Sequence, residues 1–155
     1  MKIGQGFDAH RFTQGDHIVL GGVKVPHNFG VEAYSDGDVL LHAICDALLG
    51  AAGLGDIGRH YSDKDNVNES RDSREFVVDI VNKLENQSLS VINVDATVIL
   101  QAPKLSRYID RMRSIIAHDL KISESNVNVK ATTTERMGFV GREEGIAAMA
   151  VVLLQ

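Results

Sequence analysis

Asp36-Gly37-Asp38-Val39-Leu40-Leu41-His42-Ala43-Ile44-Cys45-Asp46-Ala47-Leu48-Leu49-Gly50 is the stretch that decides the fold. Its apolar positions Val39, Leu40, Ala43, Ile44, Ala47 and Leu48 recur with a 3.6-residue period, which predicts a helix. The helix starts near Asp36 or Asp38, and Asp36 offers a capping carboxylate. Gly50, Gly53, Gly55 and Gly58 break the pattern at the far end. Upstream, residues 2–9 read as a strand, and 17–25 as two short strands about a Gly21-Gly22 turn, ended by Pro26. Residues 27–35 read as loop. Downstream, Tyr61 to Asp72 is polar and aperiodic, a long exposed loop of the kind that often serves function. Asp72-Ser73-Arg74-Glu75 opens a second helix with a capping-box pattern, and Phe76, Val77, Ile80, Val81 and Leu84 form its buried face. Residues 90–101 predict a strand with Ile92, Val94, Ala96, Val98 and Leu100 on one side, ended by Pro103. A third helix runs from about Ser106 with Ile109, Met112, Ile116 and Leu120 inward, and strands follow at 126–132 and 146–154. This order of hairpin, helices and strands predicts one α+β domain over residues 1–155.

Composition narrows the function. The formal net charge is −5 and no Lys/Arg block occurs, which argues against a nucleic-acid partner. No apolar run reaches the length of a membrane span, and the N-terminus lacks the pattern of a secretory leader. A cytoplasmic location is the expectation. The single cysteine, Cys45, lies in the apolar helix and reads as a small buried hydrophobe. An acidic protein that handles phosphates must offset repulsion, and a bound divalent cation does so.

Four constellations offer chemistry. Asp8 and His10 point to one side of the first strand. They form either a metal-ligand pair of the kind zinc accepts or a surface ion pair. Asp38, His42 and Asp46 share one helix face at i, i+4, i+8. That face is either solvated or presents His42 to a metal, with an Asp nearby to orient the ring. Together Asp8, His10 and His42 would leave a fourth position open, the layout of a catalytic zinc. The run Gly53-Leu54-Gly55-Asp56-Ile57-Gly58, followed by Asp63 and Asp65, either ends the helix or lets backbone approach a ligand, and it lacks the Lys-Ser/Thr of a P-loop. In Lys130 to Gly145, three threonines offer hydroxyls, Glu135 suits a hard cation and Arg142 suits a phosphate. Glu143 and Glu144 read as a solvated pair, and His17, His27, His60 and His118 as structural or surface groups.

In this order the segments resemble the 2-C-methyl-D-erythritol 2,4-cyclodiphosphate synthase family. The resemblance rests on Gly6-Phe7-Asp8-Ala9-His10, Ser35-Asp36-Gly37-Asp38 with His42, Asp46-Ala47-Leu48-Leu49-Gly50-Ala51 and Leu54-Gly55-Asp56-Ile57-Gly58. Gln101-Ala102-Pro103-Lys104, Val127 to Glu135 and Gly138-Phe139-Val140-Gly141-Arg142 complete it, across essentially the whole chain. It implies a chorismate-mutase-like trimeric α+β fold, a mixed sheet covered by helices, with active sites between subunits. It implies conversion of 4-diphosphocytidyl-2-C-methyl-D-erythritol 2-phosphate to the cyclic diphosphate with loss of CMP. It assigns Zn²⁺ to Asp8, His10 and His42, and Mg²⁺ or Mn²⁺ to Glu135. It implies that Thr133 and position 34 stabilise the transition state. Asp8, His10, Tyr34, Ser35, Asp56, Ile57 and Gly58 contact the substrate, and residues 61–65, including Tyr61, Asp63 and Asp65, match a closing loop. Leu100, Gln101, Ala102, Pro103, Lys104, Leu105 and Ser106, with Ala131, Thr132, Thr133, Thr134 and Glu135, match the cytidine and diphosphate pocket. Phe139 and Arg142 match positions near the trimer axis, where a cavity accepts an isoprenoid diphosphate.

Three positions depart from the family pattern. Tyr34 replaces a usual His, Gln5 another, and Tyr61-Ser62 replaces Phe-Pro. Tyr34 offers a hydroxyl but no cation near neutral pH. The expectation is that backbone N–H groups of residues 34 and 35 do most of the work there. Ser62 lacks the fixed φ of proline.

Overall fold

The computed structural model describes residues 1–62 and 70–155. Strand β1 (Lys2–Thr13) is followed by the hairpin β2 (His17–Leu20) and β3 (Val23–Pro26), then by β4 (Gly30–Val31) and helix α1 (Val39–Ala52). Helices α2 (Ile57–His60) and α3 (Ser73–Glu85) precede β5 (Val91–Ile99). The chain ends with α4 (Ile109–Leu120), β6 (Val127–Thr132), α5 (Gly138–Gly141) and β7 (Gly145–Leu154). The main sheet runs β4-β1-β7-β5-β6. It is mixed: β7 pairs antiparallel with β1 and β5, and β5 pairs parallel with β6.

Helix α1 lies across β1 and β7, α3 sits against α1 and α4, and α4 reaches β6. The close seating of α1 has a sequence cause. A Cβ on Gly4 would stand 1.9 Å from the Ala47 carbonyl oxygen, and one on Gly6 1.9 Å from that of Ala43. Only glycine lets the helix backbone rest on the strand there. Even-numbered residues of β1 face α1, and odd-numbered ones face away. On that outer side Ile3, Phe7, Met149 and Val151 are exposed, from 73% for Ile3 to 41% for Val151. The core lies on the helix side, where Leu40, Leu41, Ile44, Leu48 and Leu49 are fully buried. Each such side chain stabilises the fold by about 1.5–3 kcal/mol.

The hairpin is locked to α1 by Asp38. Its carboxylate accepts hydrogen bonds from the backbone N–H of Gly21 (3.0 Å), Gly22 (2.7 Å) and Leu41 (3.0 Å). Gly21 and Gly22 both have positive φ, which turns their N–H groups onto it. Asp38, not Asp36, is therefore the helix cap. Asp36 instead accepts from the Ser73 N–H (3.1 Å). Asp38 is also fully buried rather than on a solvated face. Burial pushes its carboxyl up to about 6 against the pull of the three N–H donors, and the nearby Asp36 charge adds to the rise.

Other boundaries shift for local reasons. Strand β1 continues to Thr13 because β4 pairs with its end, Phe12 opposite Val31. Gly50 stays inside α1, and Gly53 closes it with a left-handed φ of 73°. At α3 the cap is Asp72, which accepts from the Arg74 N–H (2.9 Å). The box is incomplete, because Glu75 pairs with Arg71 at 2.7 Å. In β5 a register shift between Val91 and Asn93 turns Val91 inward and leaves Ile92 half-buried. Helix α4 begins at Ile109 rather than Ser106.

Candidate metal centre

Asp8 and His10 project from β1 toward α1, and His42 meets them from the first turns of that helix. Asp8 Oδ2 stands 2.9 Å from His10 Nε2 and 3.0 Å from His42 Nδ1. The two imidazole nitrogens are 3.1 Å apart. Burial pushes the Asp8 carboxyl up, but its contacts with His10 and His42 outweigh this and hold it well below the usual range. For His42 burial opposes the charged ring, and the Asp8 contact, helped by the Asp38 and Asp36 charges, raises its pKa overall. One carboxylate oxygen and two ring nitrogens thus crowd a single point. Tetrahedral zinc ligands at about 2.0–2.1 Å from the ion stand roughly 3.3 Å apart. The observed triangle is slightly smaller and has the right donor types, so the residues fit a divalent cation. These three form the one such cluster among the described residues.

The ligands open onto a cleft of about 260 Å³ lined by His10, Ala33, Tyr34, Ser35, His42, Ile57, Tyr61 and Phe76. The sequence-predicted residues Tyr34, Ser35, Ile57 and Tyr61 therefore gather at the metal ligands. Asp56 caps α2 by accepting from the Arg59 N–H (2.9 Å), with Gly58 in its first turn. Asp46 does not orient His42; its carboxylate accepts the Ile57 N–H at 2.7 Å and so seats α2. The Tyr61 ring packs on Phe76 with centroids 4.6 Å apart, and its hydroxyl donates to Asp79. Asp63 and Asp65, predicted to contact substrate, lie outside the described residues, as does most of the 61–65 loop.

A second cleft, of about 470 Å³, lies at the other side of the sheet. Leu100, Gln101, Pro103, Lys104, Leu105, Ser106, Ala131, Thr132 and Thr133 line it with Ile109. Ala102 borders this loop and its carbonyl takes a 3.0 Å hydrogen bond from His27 Nε2. Just beyond β6, the Thr133 hydroxyl donates to Glu135 (3.2 Å), and Thr134 donates to the Met137 carbonyl (2.6 Å). Strands β7 and β5 lie between β1 and β6. Strands β1 and β6 are thus about 14 Å apart across the sheet, at roughly 4.8 Å per strand step. A single chain does not bring Glu135 to the Asp8, His10 and His42 cluster. Phe139 lines a further cleft with Ala9, Arg11, Phe12 and Glu144. Arg142, predicted to pair with phosphate, is paired here with Glu144 at 2.8 Å.

Sequence reasoning missed the placement of Phe76, Ser73 and Asp36 around His42. Phe76 reads as core by its helical spacing, and Ser73 as part of a cap. Ser73 and Phe76 approach His42 from 31 or more residues away, beyond any local pattern, and Asp36 acts through Ser73.

A carboxylate and two imidazoles, facing an open cleft on an α+β scaffold, define a metalloprotein with an accessible metal position. The chain belongs to the YgbB family, whose model matches residues 1–155. It is 57% identical over 154 residues to 2-C-methyl-D-erythritol 2,4-cyclodiphosphate synthase of Stutzerimonas stutzeri, covering 99% of this chain and 98% of that one. Its fold matches the bifunctional IspDF of Campylobacter jejuni with a TM-score of 0.95 and 44% identity, over 99% of this chain and 42% of that longer one. IspF of Plasmodium falciparum in complex with CDP matches with a TM-score of 0.86 and 34% identity, over 99% and 94% of the two chains.

Proposed function

We propose that this chain is a 2-C-methyl-D-erythritol 2,4-cyclodiphosphate synthase, a phosphorus–oxygen lyase of non-mevalonate isoprenoid precursor synthesis. The observation that carries this reading is the convergence of Asp8, His10 and His42 at one cleft. Full-length likeness to a relative of that name supports it. In the reaction, an oxygen of the 2-phosphate attacks the β-phosphorus of the CDP group. The bond from that phosphorus to the bridging oxygen breaks, and CMP leaves with the oxygen. Both reactants sit in one molecule, so catalysis consists of folding the substrate and offsetting charge.

Asp8, His10 and His42 would hold Zn²⁺, and Glu135 would hold Mg²⁺ or Mn²⁺ with the α- and β-phosphates. Bound there, these ions supply Lewis-acid polarisation of phosphate oxygens. The Thr133 hydroxyl and the N–H groups of Tyr34 and Ser35 donate to charge that develops on the transferred phosphoryl. Asp56, Ile57 and Gly58 hold the erythritol hydroxyls beside Tyr61. Residues 100–106 and Ala131 to Thr134 hold the cytidine diphosphate. The two clefts join when the Thr133 side of one copy meets the metal side of another, in a homotrimer. The exposed Ile3, Phe7, Met149 and Val151 support such a contact, being apolar and on one sheet face. Phe139 and Arg142 would face an isoprenoid diphosphate at the trimer axis. No described helix is long and apolar enough to cross a membrane, which accords with work in the cytoplasm.

The test is product analysis with 4-diphosphocytidyl-2-C-methyl-D-erythritol 2-phosphate, Zn²⁺ and Mg²⁺. CMP and the cyclic diphosphate in equal amounts are expected. An open-chain phosphate would instead make the protein a hydrolase that uses water.

A further inference from the structure

We infer that Ser73 and Asp36 are positioning residues that hold His42 in its Nε2–H tautomer, leaving the Nδ1 lone pair free for a metal ion. The argument is a count of hydrogens. His42 Nε2 lies 2.9 Å from Ser73 Oγ and 3.2 Å from Ser35 Oγ. The Ser73 hydroxyl has one hydrogen, and it is donated to the Asp36 carboxylate. An ionised carboxylate has nothing to give back. Ser73 Oγ can therefore only accept from His42, so the ring proton sits on Nε2. Ser35 Oγ, which accepts from the Gly37 N–H (3.3 Å), can either accept from or donate to Nε2, so Ser73, at the shorter distance, decides the tautomer.

The opposite tautomer would set Ser73 and Nε2 lone pairs against each other in a buried site, an unmade bond that costs free energy. Asp36 is itself fixed, because the Ser73 N–H (3.1 Å) and the Asp38 N–H (3.2 Å) both donate to it. Its charge lies at the N-terminus of α3, where the helix dipole favours it. The result on the other side of the ring is a bare Nδ1 3.0 Å from Asp8 Oδ2. His10 Nε2 completes the group, 3.1 Å from that nitrogen and 2.9 Å from Asp8 Oδ2, so in the metal-free protein an Nε2–H on His10 is the donor at hand, and a cation would take its place. The inference rests on the metal site proposed above, but the tautomer can be read without metal or substrate.

The test uses metal-stripped, ¹⁵N-histidine-labelled full-length protein at alkaline pH, where the ring carries one proton. Long-range ¹H–¹⁵N correlation should show His42 in the Nε2–H form alone. Ser73→Ala should give a mixture of tautomers, and Asp36→Ala, which frees the Ser73 hydroxyl to donate, should move His42 toward Nδ1–H. Zn²⁺ affinity by chelator competition should fall about 10–100-fold in each. A wild-type ring in the Nδ1–H form overturns the inference, whether or not the variants fold. So does a Ser73→Ala protein with unchanged tautomer and affinity. Loss of cyclase activity with both of these readings intact would count against the proposed function alone.

Discussion

Asp8, His10 and His42 are held where β1 and α1 bury each other, whereas Thr133 and Glu135 stand exposed on a turn past the edge strand β6. The first region has glycines that bring helix onto strand, a cap that ties the hairpin to the helix, and partners for the polar groups around His42. The second has threonine hydroxyls that donate within their own turn, to Glu135 and to the carbonyls of Thr133 and Met137. Placing three ligand atoms within hydrogen-bond distance needs a stiff surround, because each gains from fixed lone pairs and low dielectric. The cleft beside Thr133 is open by comparison. The chain thus gathers Asp8, His10 and His42 by itself, and the proposed trimer would bring the other half to them.

The largest effect should come from the stiff half. His42→Ala should lower CMP release by about 10³-fold or more, since Lewis-acid stabilisation is worth several kcal/mol. Zinc stoichiometry by atomic absorption should fall with it, and chelation of the wild type should do the same, reversibly. A His42→Ala enzyme with normal turnover would dissolve the contrast. Next comes the open half: Thr133→Ala should cost roughly 10²-fold, the scale of losing one aimed donor. Zinc affinity should stay at the wild-type level, which is what separates the two regions. Mixing unfolded His42→Ala and Glu135→Ala chains in equal amounts and refolding them together should restore about a quarter of full activity, since each site draws one half from each of two copies at random. No recovery would place both halves in one chain.

Asp38 gives a pH test of the stiff half. Its carboxyl titrates near 6 when folded, above the usual value near 3.9, so the native state binds the extra proton. Stability from this group is therefore fully present below about pH 4 and is lost as pH rises through 6, on the order of 3 kcal/mol. Comparing denaturant midpoints of metal-free wild type and Asp38→Asn from pH 4 to 7 isolates it; a gap independent of pH would refute the assignment. The smallest effect is at the border of the two halves. Tyr34→His should change turnover by less than about tenfold, the equivalent of about 1.4 kcal/mol in the barrier. A gain near a hundredfold would show that the side chain, not the backbone, does the work at position 34.

Periodicity made the long elements legible: α1, α3 and β5 were readable because their buried faces repeat over many residues. Strand β4 was not, since two residues have no period, and it exists only because Phe12 lies opposite Val31. Ile92 misled because an alternating pattern does not reveal a bulge. The cap was misplaced because Asp36 and Asp38 are the same residue type two apart, and the choice between them is made by Gly21, Gly22 and Ser73, which are distant in sequence. At the site, the Asp8 and His10 pair followed from strand geometry. Their meeting with His42 did not, and came from resemblance until the packing of α1 on Gly4 and Gly6 gave it a physical cause.

The outer face of β1 and β7 has a consequence for how the chain is made. On the proposed trimer, a newly synthesised copy folds with Ile3, Phe7, Met149 and Val151 in water and remains adhesive until it meets its own kind. Too dilute, it finds no partners; too concentrated, unfinished chains collide first. Recovery of active protein on refolding should therefore pass through a maximum as chain concentration is raised.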